Sequence, residues 1–267
     1  MRSNPGTTLT DVRAVYSGAE ADLWELLMGQ QVHLGGLKSS LELAERAGIG
    51  AGMRGVDLCC CNGAGMRCLT RFREVASMVG VDATEKMIER GRRRCQEEGL
   101  ADRISFVLAD ACQSGLPSAS ADFVWSEDAW CYVADKTRLI AEAARIVKPG
   151  GVIAFTDWLE GPTALSEAEA QRLLSFMKFP SFESIPGYAR LLTEHGCKVT
   201  AAEDTGRFAS YIELFHNMID MQLTYDALRI IGFNTQMFDL MRGEFAFLGE
   251  LARAGKLAQG RFVARRS

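Results

Sequence analysis

A chain of 267 residues, 48% hydrophobic and 24% charged with a net charge of −4, is ordinary globular material with room for one large domain plus a cap, or two small domains. The acidic balance gives no reason to expect nucleic acid or an anionic membrane as partner, and the basic run Arg92-Arg93-Arg94 is answered by Glu97-Glu98. No apolar run approaches the roughly 20 residues of a membrane helix, and the polar stretch from Met1 to Asp11 lacks the apolar centre of a secretion signal, so a cytoplasmic protein is expected.

In chain order, helix-like patterns over residues 19–28 and 37–47 lead into an alternation of short apolar runs and longer amphipathic ones. Strands are expected at 55–60, 76–81, 104–109, 123–126 and 152–156, and helices at 65–74, 85–98 and 136–147. Thr84 and Asp135 are candidate N-caps for the second and third of these helices, and Pro149-Gly150-Gly151 stops the third. Strands alternating with helices imply βαβ units and a parallel sheet. Further on, residues 166–176 form a helix with a Ser166/Glu169 capping box, 187–195 another, 198–202 a sixth strand and 260–264 a last short one. Residues 209–254 read as two or three helices rich in Met and Phe (Met218, Met221, Met237, Phe238, Met241, Phe245, Phe247). That stripe is either plain core under a cap or an adaptable wall facing a substrate.

Eight cysteines show no C-x-x-C pair and no zinc spacing; buried apolar thiols are the expectation, with a metal or redox site as the alternative. The chemistry concentrates at the strand ends, where an open α/β sheet binds ligands. Asp57 and the turn Cys59-Cys60-Cys61-Asn62-Gly63-Ala64-Gly65 follow the first strand, and small residues before a helix N-terminus let backbone N–H groups approach a ligand. Asp82 ends the second strand, where an acid can take both hydroxyls of a ribose, and Asp110 with Ala111 closes the third, where a carboxylate can accept from an adenine amine. Each alone is more often a turn or cap residue; together, in this order and spacing, they point to an adenosine-containing cofactor.

These stretches, with Val79-Gly80-Val81-Asp82, Leu108-Ala109-Asp110-Ala111 and Val147-Lys148-Pro149-Gly150-Gly151, resemble the core of a class I S-adenosylmethionine-dependent methyltransferase. The resemblance implies a Rossmann-like, doubly wound α/β fold with a seven-stranded sheet whose last strand, 260–264, is antiparallel. It implies S-adenosylmethionine as cofactor. Asp57, Cys59, Cys61 and Gly63 would lie at the methionine-binding turn, Asp82 and Ala83 at the ribose, Met87 near the adenine, and Asp110 and Ala111 at its amine, with Glu127 at the end of the fourth strand. Tyr16 in Val15-Tyr16-Ser17, the segment from Gln31 to Gly36, and Ser126-Glu127-Asp128-Ala129-Trp130-Cys131-Tyr132 further resemble the glycine/sarcosine/dimethylglycine and phosphoethanolamine N-methyltransferases. In the phosphoethanolamine group the last motif ends in a catalytic His paired with an N-terminal Tyr; here Tyr132 stands at the His position and Tyr16 matches the Tyr. Two positions depart from the family, which has glycine where Cys59 and Cys61 stand. A Cβ at Cys61 would crowd the cofactor or reshape the turn, at about 1 kcal/mol or more if φ must be positive.

The expected organisation is an N-terminal helical lid (1–50), a cofactor-binding core (51–206 and 256–267) and helical cap insertions (159–186 and 207–255). The expected activity is methyl transfer to a small-molecule acceptor, first an amine. Asp128 would hold the acceptor, Tyr16 and Tyr132 orient it, and His33 is a further catalytic candidate with a structural role as its alternative. C- or O-methylation of a natural product and a catalytically silent cofactor-binding protein are the alternatives. No resident metal is expected, and a homodimer is left open.

Overall fold

The computed structural model describes residues 1–267. The chain opens with a two-residue strand β1 (Arg2–Ser3) and three helices, α1 (Leu9–Ser17), α2 (Ala19–Met28) and α3 (Gly36–Ala47). There follow β2 (Arg54–Leu58), α4 (Ala64–Phe72), β3 (Ser77–Asp82), α5 (Glu85–Glu97), β4 (Ile104–Leu108) and β5 (Ala121–Glu127). After a single 3₁₀ turn (Trp130–Tyr132) come α6 (Lys136–Ile146), β6 (Val147–Glu160), α7 (Glu167–Met177), β7 (Ser181–Phe182), α8 (Ile185–Glu194) and β8 (Cys197–Asp204). The chain closes with α9 (Phe208–Asn217), a π turn (Met218–Gln222), α10 (Thr224–Ile230), α11 (Thr235–Arg253) and β9 (Leu257–Arg266).

Seven strands form one sheet in the order β4-β3-β2-β5-β6-β9-β8, all parallel from β4 through β6, with β9 antiparallel to both its neighbours. Along β5 the pleat sends Phe123 and Trp125 to one face and Val124 to the other, and all three are fully buried because helices cover both faces. Residues from α3, α4 and α5 pack with Phe123 and Trp125; residues from α6 and α8 pack with Val124. A third apolar cluster joins α2 and α7 to α9, α10 and α11 through Leu23, Leu173, Ile212, Phe245 and Leu248. No helix is long and apolar enough to cross a membrane.

The expected strands and their order are present, several of them longer than expected. β6 starts at Val147 because Lys148 to Gly151 bulge out between the pairs Ala121↔Val147 and Phe123↔Val152, so α6 stops at Ile146. The Ser166/Glu169 capping box forms and Asp135 caps α6 through the Arg138 amide. Thr84 sits at the N-cap of α5 but its side chain makes no cap bond; Asp82 accepts from the Thr84 amide instead. Helix α1 was not expected. Its signal was present as Val12 and Val15 three residues apart behind a Thr8/Asp11 capping box, obscured because Asp stands where Glu or Gln is the usual partner. The Met/Phe stripe divides: Phe238 and Phe245 are core, Met221 is 83% exposed, and Met237 and Met241 face a chamber described below.

Candidate active site

The chain leaves β2 toward β3 and β4 on one side and returns to β5 on the other, so strand order reverses beside β2 and opens a crevice at the strands' C-terminal ends. There Asp57, Asp82, Asp110 and Glu127 line one cavity of about 260 Å³ together with Cys59, Cys61, Ala83, Ala111, Asp128, Tyr16 and Tyr132. Gly63, Met87 and His33 do not line it. Met87 is buried in α5. Gly63 serves the backbone: it caps α4 at φ +72°, and a Cβ there would stand 2.7 Å from the Phe106 ring.

The turn after β2 keeps a glycine-like path although cysteines occupy it. Cys59 has φ +68° and Cys61 φ +49°. Asp82 supports that path: one carboxylate oxygen accepts from the Cys61 amide and the other from the Thr84 amide, both at 2.8 Å. Burial pushes the Cys61 thiol up to about 12, so it stays protonated and behaves as a small apolar wall. Cys61→Gly is therefore expected to raise stability by about 0.5–1 kcal/mol, the left-handed strain of an L-residue less the extra chain entropy of glycine. Chemical denaturation measures this, and a loss above about 1 kcal/mol would show that the packing of the thiol outweighs the strain.

At the heart of the crevice Asp57 is 4% exposed, and its carboxylate accepts no hydrogen bond from the protein. Burial, followed by the negative charges of Glu127 and Asp82, holds its carboxyl well above the usual carboxylate range. The Trp125 indole N–H beside it is buried without an acceptor. Gly65 leaves the space: an added Cβ would lie 2.7 Å from Glu127 Oε2, 3.1 Å from Trp125 Nε1 and 3.6 Å from Asp57 Oδ2. Asp57 and Glu127 both line the cavity beside Gly65, and two carboxylates there suit a cationic group.

On the opposite wall the rings of Tyr16 and Tyr132 meet edge to face, centroids 5.3 Å apart. Burial raises the pKa of both hydroxyls, so both are neutral. Asp128, at φ +50°, accepts from the Leu34 amide at 2.8 Å and from Gln259 Nε2 at 2.9 and 2.8 Å. It thereby ties the segment before α3 to β9. His33 is buried beside it, with Nε2 3.1 Å from Ser40 Oγ and 3.2 Å from Glu127 Oε1, so it touches the site only through Glu127. Trp130 is fully buried core and bonds the Leu58 carbonyl. Lys136 is buried behind the site on Ser181 Oγ at 2.7 Å.

Sequence reasoning left out Gln31, Val32, Asn62, Thr84, Cys112 and Arg138 as lining residues. Val32 had no readable signal, since a β-branched residue at φ +48° runs against local preference. Its neighbourhood is set by distant bonds: Arg67 reaches Gln30 Oε1 at 2.9 Å, and Asn62 Nδ2 reaches the Gln30 carbonyl at 2.9 Å.

Residues 56–155 match the model of the methyltransferase domain family. The chain is 31% identical over 204 residues to the 27-O-demethylrifamycin SV methyltransferase of Amycolatopsis mediterranei (strain S699), covering 71% of this chain and 75% of that one. With the sterol 24-C-methyltransferase erg6 of Aspergillus fumigatus it shares 35% identity over 117 residues, 44% of this chain but only 31% of that relative's length. A structure from Galdieria sulphuraria described as a sarcosine dimethylglycine methyltransferase superposes with a TM-score of 0.77 at 24% identity, covering 86% of each chain. Phosphoethanolamine N-methyltransferase 2 of Haemonchus contortus, solved with phosphomonomethylethanolamine and S-adenosylhomocysteine, superposes with a TM-score of 0.83 at 20% identity, covering 95% of this chain and 58% of that one. Fold and strand-end site define a Rossmann-like transferase of the nucleotide-cofactor kind. The chain belongs to the class I S-adenosylmethionine-dependent methyltransferases.

The residues present suit that cofactor, whose amino-acid end carries an ammonium and a carboxylate beside a sulfonium. Asp57 and Glu127 would hold the ammonium, Asp82 would take the ribose and Asp110 the adenine amine. Asp57 must be ionised to receive a cation. Affinity for S-adenosylhomocysteine should therefore fall as the pH drops through the raised Asp57 pKa, and Asp57→Asn should weaken binding and flatten the profile. Titration calorimetry across pH measures this; a wild-type affinity that rises toward acid would reverse the assignment.

Proposed function

We propose that this protein methylates a nitrogen of a small-molecule acceptor held between the Tyr16–Tyr132 pair and the cofactor cavity. The carrying observation is that pair: two neutral hydroxyls and two rings that line the same cavity as the carboxylates, facing them from the opposite wall. When bound, the cofactor supplies a methyl on a sulfonium; as the acceptor lone pair forms the new bond, the carbon–sulfur electrons return to sulfur and the charge passes to the nitrogen. A neutral amine brings its own lone pair, and an ammonium product suits aromatic faces and a carboxylate-rich cavity. A hydroxyl acceptor would have to surrender its proton. Both tyrosines are held protonated by burial, and the oxygens of Asp128 are already bonded to Leu34 and Gln259. In this account Tyr16 and Tyr132 orient the acceptor, Asp128 is a positioning residue that holds the lid segment over it, and His33 positions Glu127.

The second reading, O- or C-methylation of a natural product, draws support from the relative named for 27-O-demethylrifamycin SV. Labelled S-adenosylmethionine offered with separate amine, hydroxyl and carbon acceptor pools distinguishes the two. The expected result is label on nitrogen; label confined to oxygen or carbon overturns it.

A further inference from the structure

The cofactor cavity is the first of three spaces in line. A narrow aromatic space of about 20 Å³ shares Tyr16, Val32, Asp128 and Tyr132 with it, so side chains there must move aside for a ligand to pass. That narrow space in turn shares Trp24 and Met177 with a third space of about 470 Å³ enclosed by α2, α7 and α11. The third space is of a size that holds ligands, which span about 300–1,000 Å³. Eleven of its sixteen lining residues are apolar. Of its four charged ones, Arg172 and Glu244 are paired with each other at 3.0 Å, and the Arg172 guanidinium also lies 4.0 Å over the Phe247 ring. Met237 and Leu240 line it and are 40% and 63% exposed, so it opens to solvent through an apolar mouth. Apolar side chains left in water around a well-shaped opening mark a binding surface. The aromatic rings of Trp24, Trp158 and Phe179 wall the passage from this mouth to the tyrosine pair.

We propose that the acceptor carries a bulky or chain-like apolar body that lies in this chamber between α2, α7 and α11, while its reacting end passes Trp24 and Met177 to reach Tyr16 and Tyr132. The chamber assignment stands on the shared walls, lining and mouth of the cavities; only the nitrogen at the reacting end rests on the function proposed above. The substrate class is then an apolar natural-product-like or long-chain amine, because eleven of the sixteen lining residues are apolar and Arg172 and Glu244 already answer each other.

The test measures binding to the protein saturated with S-adenosylhomocysteine. N,N-dimethylalkylamines and matching n-alkanols, from ethyl to octyl, are titrated against bound N-phenyl-1-naphthylamine fluorescence. Affinity should rise by about four-fold per added methylene until the chamber is filled. Met241→Trp should weaken octyl binding ten-fold or more while leaving ethyl and S-adenosylhomocysteine binding unchanged. Leu240→Glu at the exposed mouth should do the same and guards against a folding failure of the first variant. Affinity that is flat with chain length in both series, or octyl binding untouched by both variants, overturns the chamber. With S-adenosylmethionine supplied in place of S-adenosylhomocysteine, a chain-length dependence with methyl transfer only to the alkanols would keep the chamber and overturn the nitrogen.

Discussion

Replacing Asp82 by alanine should weaken S-adenosylhomocysteine binding ten-fold or more. Each carboxylate oxygen already accepts one backbone amide, from Cys61 and from Thr84, and the remaining lone pairs face the cavity. The substitution removes the acceptor for the ribose hydroxyls and, at the same time, the brace that keeps Cys61 in its left-handed conformation. A hydrogen bond to a charged group contributes about 1.5–3 kcal/mol, which corresponds to roughly ten-fold to a hundred-fold in affinity. Asp82→Asn, which keeps the shape and one acceptor, should fall between wild type and alanine. Titration calorimetry measures both variants, with thermal unfolding to record the loss of the brace. An alanine variant that binds as tightly as wild type would remove Asp82 from the cofactor site.

Asp128→Asn should reduce turnover more than ten-fold with cofactor affinity intact. The carboxylate receives the Leu34 amide and both of its oxygens meet the Gln259 amide group. An asparagine at this place turns one acceptor into a donor facing a donor, inside a buried cluster where an unmade bond costs about 1–3 kcal/mol. The segment before α3 is then released from β9, and the wall that carries Val32 and Tyr16 loosens over the acceptor space. Two measurements separate this positioning role from loss of fold: kcat at saturating cofactor, and hydrogen exchange at the Leu34 amide, which should speed up in the variant while the sheet core stays protected. Full turnover would take Asp128 out of the site altogether.

Much of the fold was readable because the signals are local. The apolar runs of β2, β3 and β5 are nearly continuous, as strands covered on both faces must be, and the later helices α6, α7 and α8 announce an end with Asp135, Ser166 and Gly196. The strand-end acids Asp57, Asp82, Asp110 and Glu127 could be placed on one edge because parallel strands present the same end to the same side. What was not readable is which groups are already engaged. Asp128 and Asp57 look alike in sequence, one residue beyond a strand and one within it, yet the first is saturated by protein donors and the second accepts none. His33 likewise passed for a catalytic candidate until its ring was found enclosed by Ser40 and Glu127.

The order of elements, the carboxylate edge and the family were set by short-range pattern, because hydrophobic period and strand-end chemistry are properties of a few consecutive residues. The pairing of Asp128 with Leu34 and Gln259, residues 94 and 131 positions away, and the chamber roofed by α2, α7 and α11, arise only when distant segments meet. Burial then decides the charge state and role of each group, since a carboxylate or a phenol is shifted by what surrounds it in space and not by its neighbours along the chain.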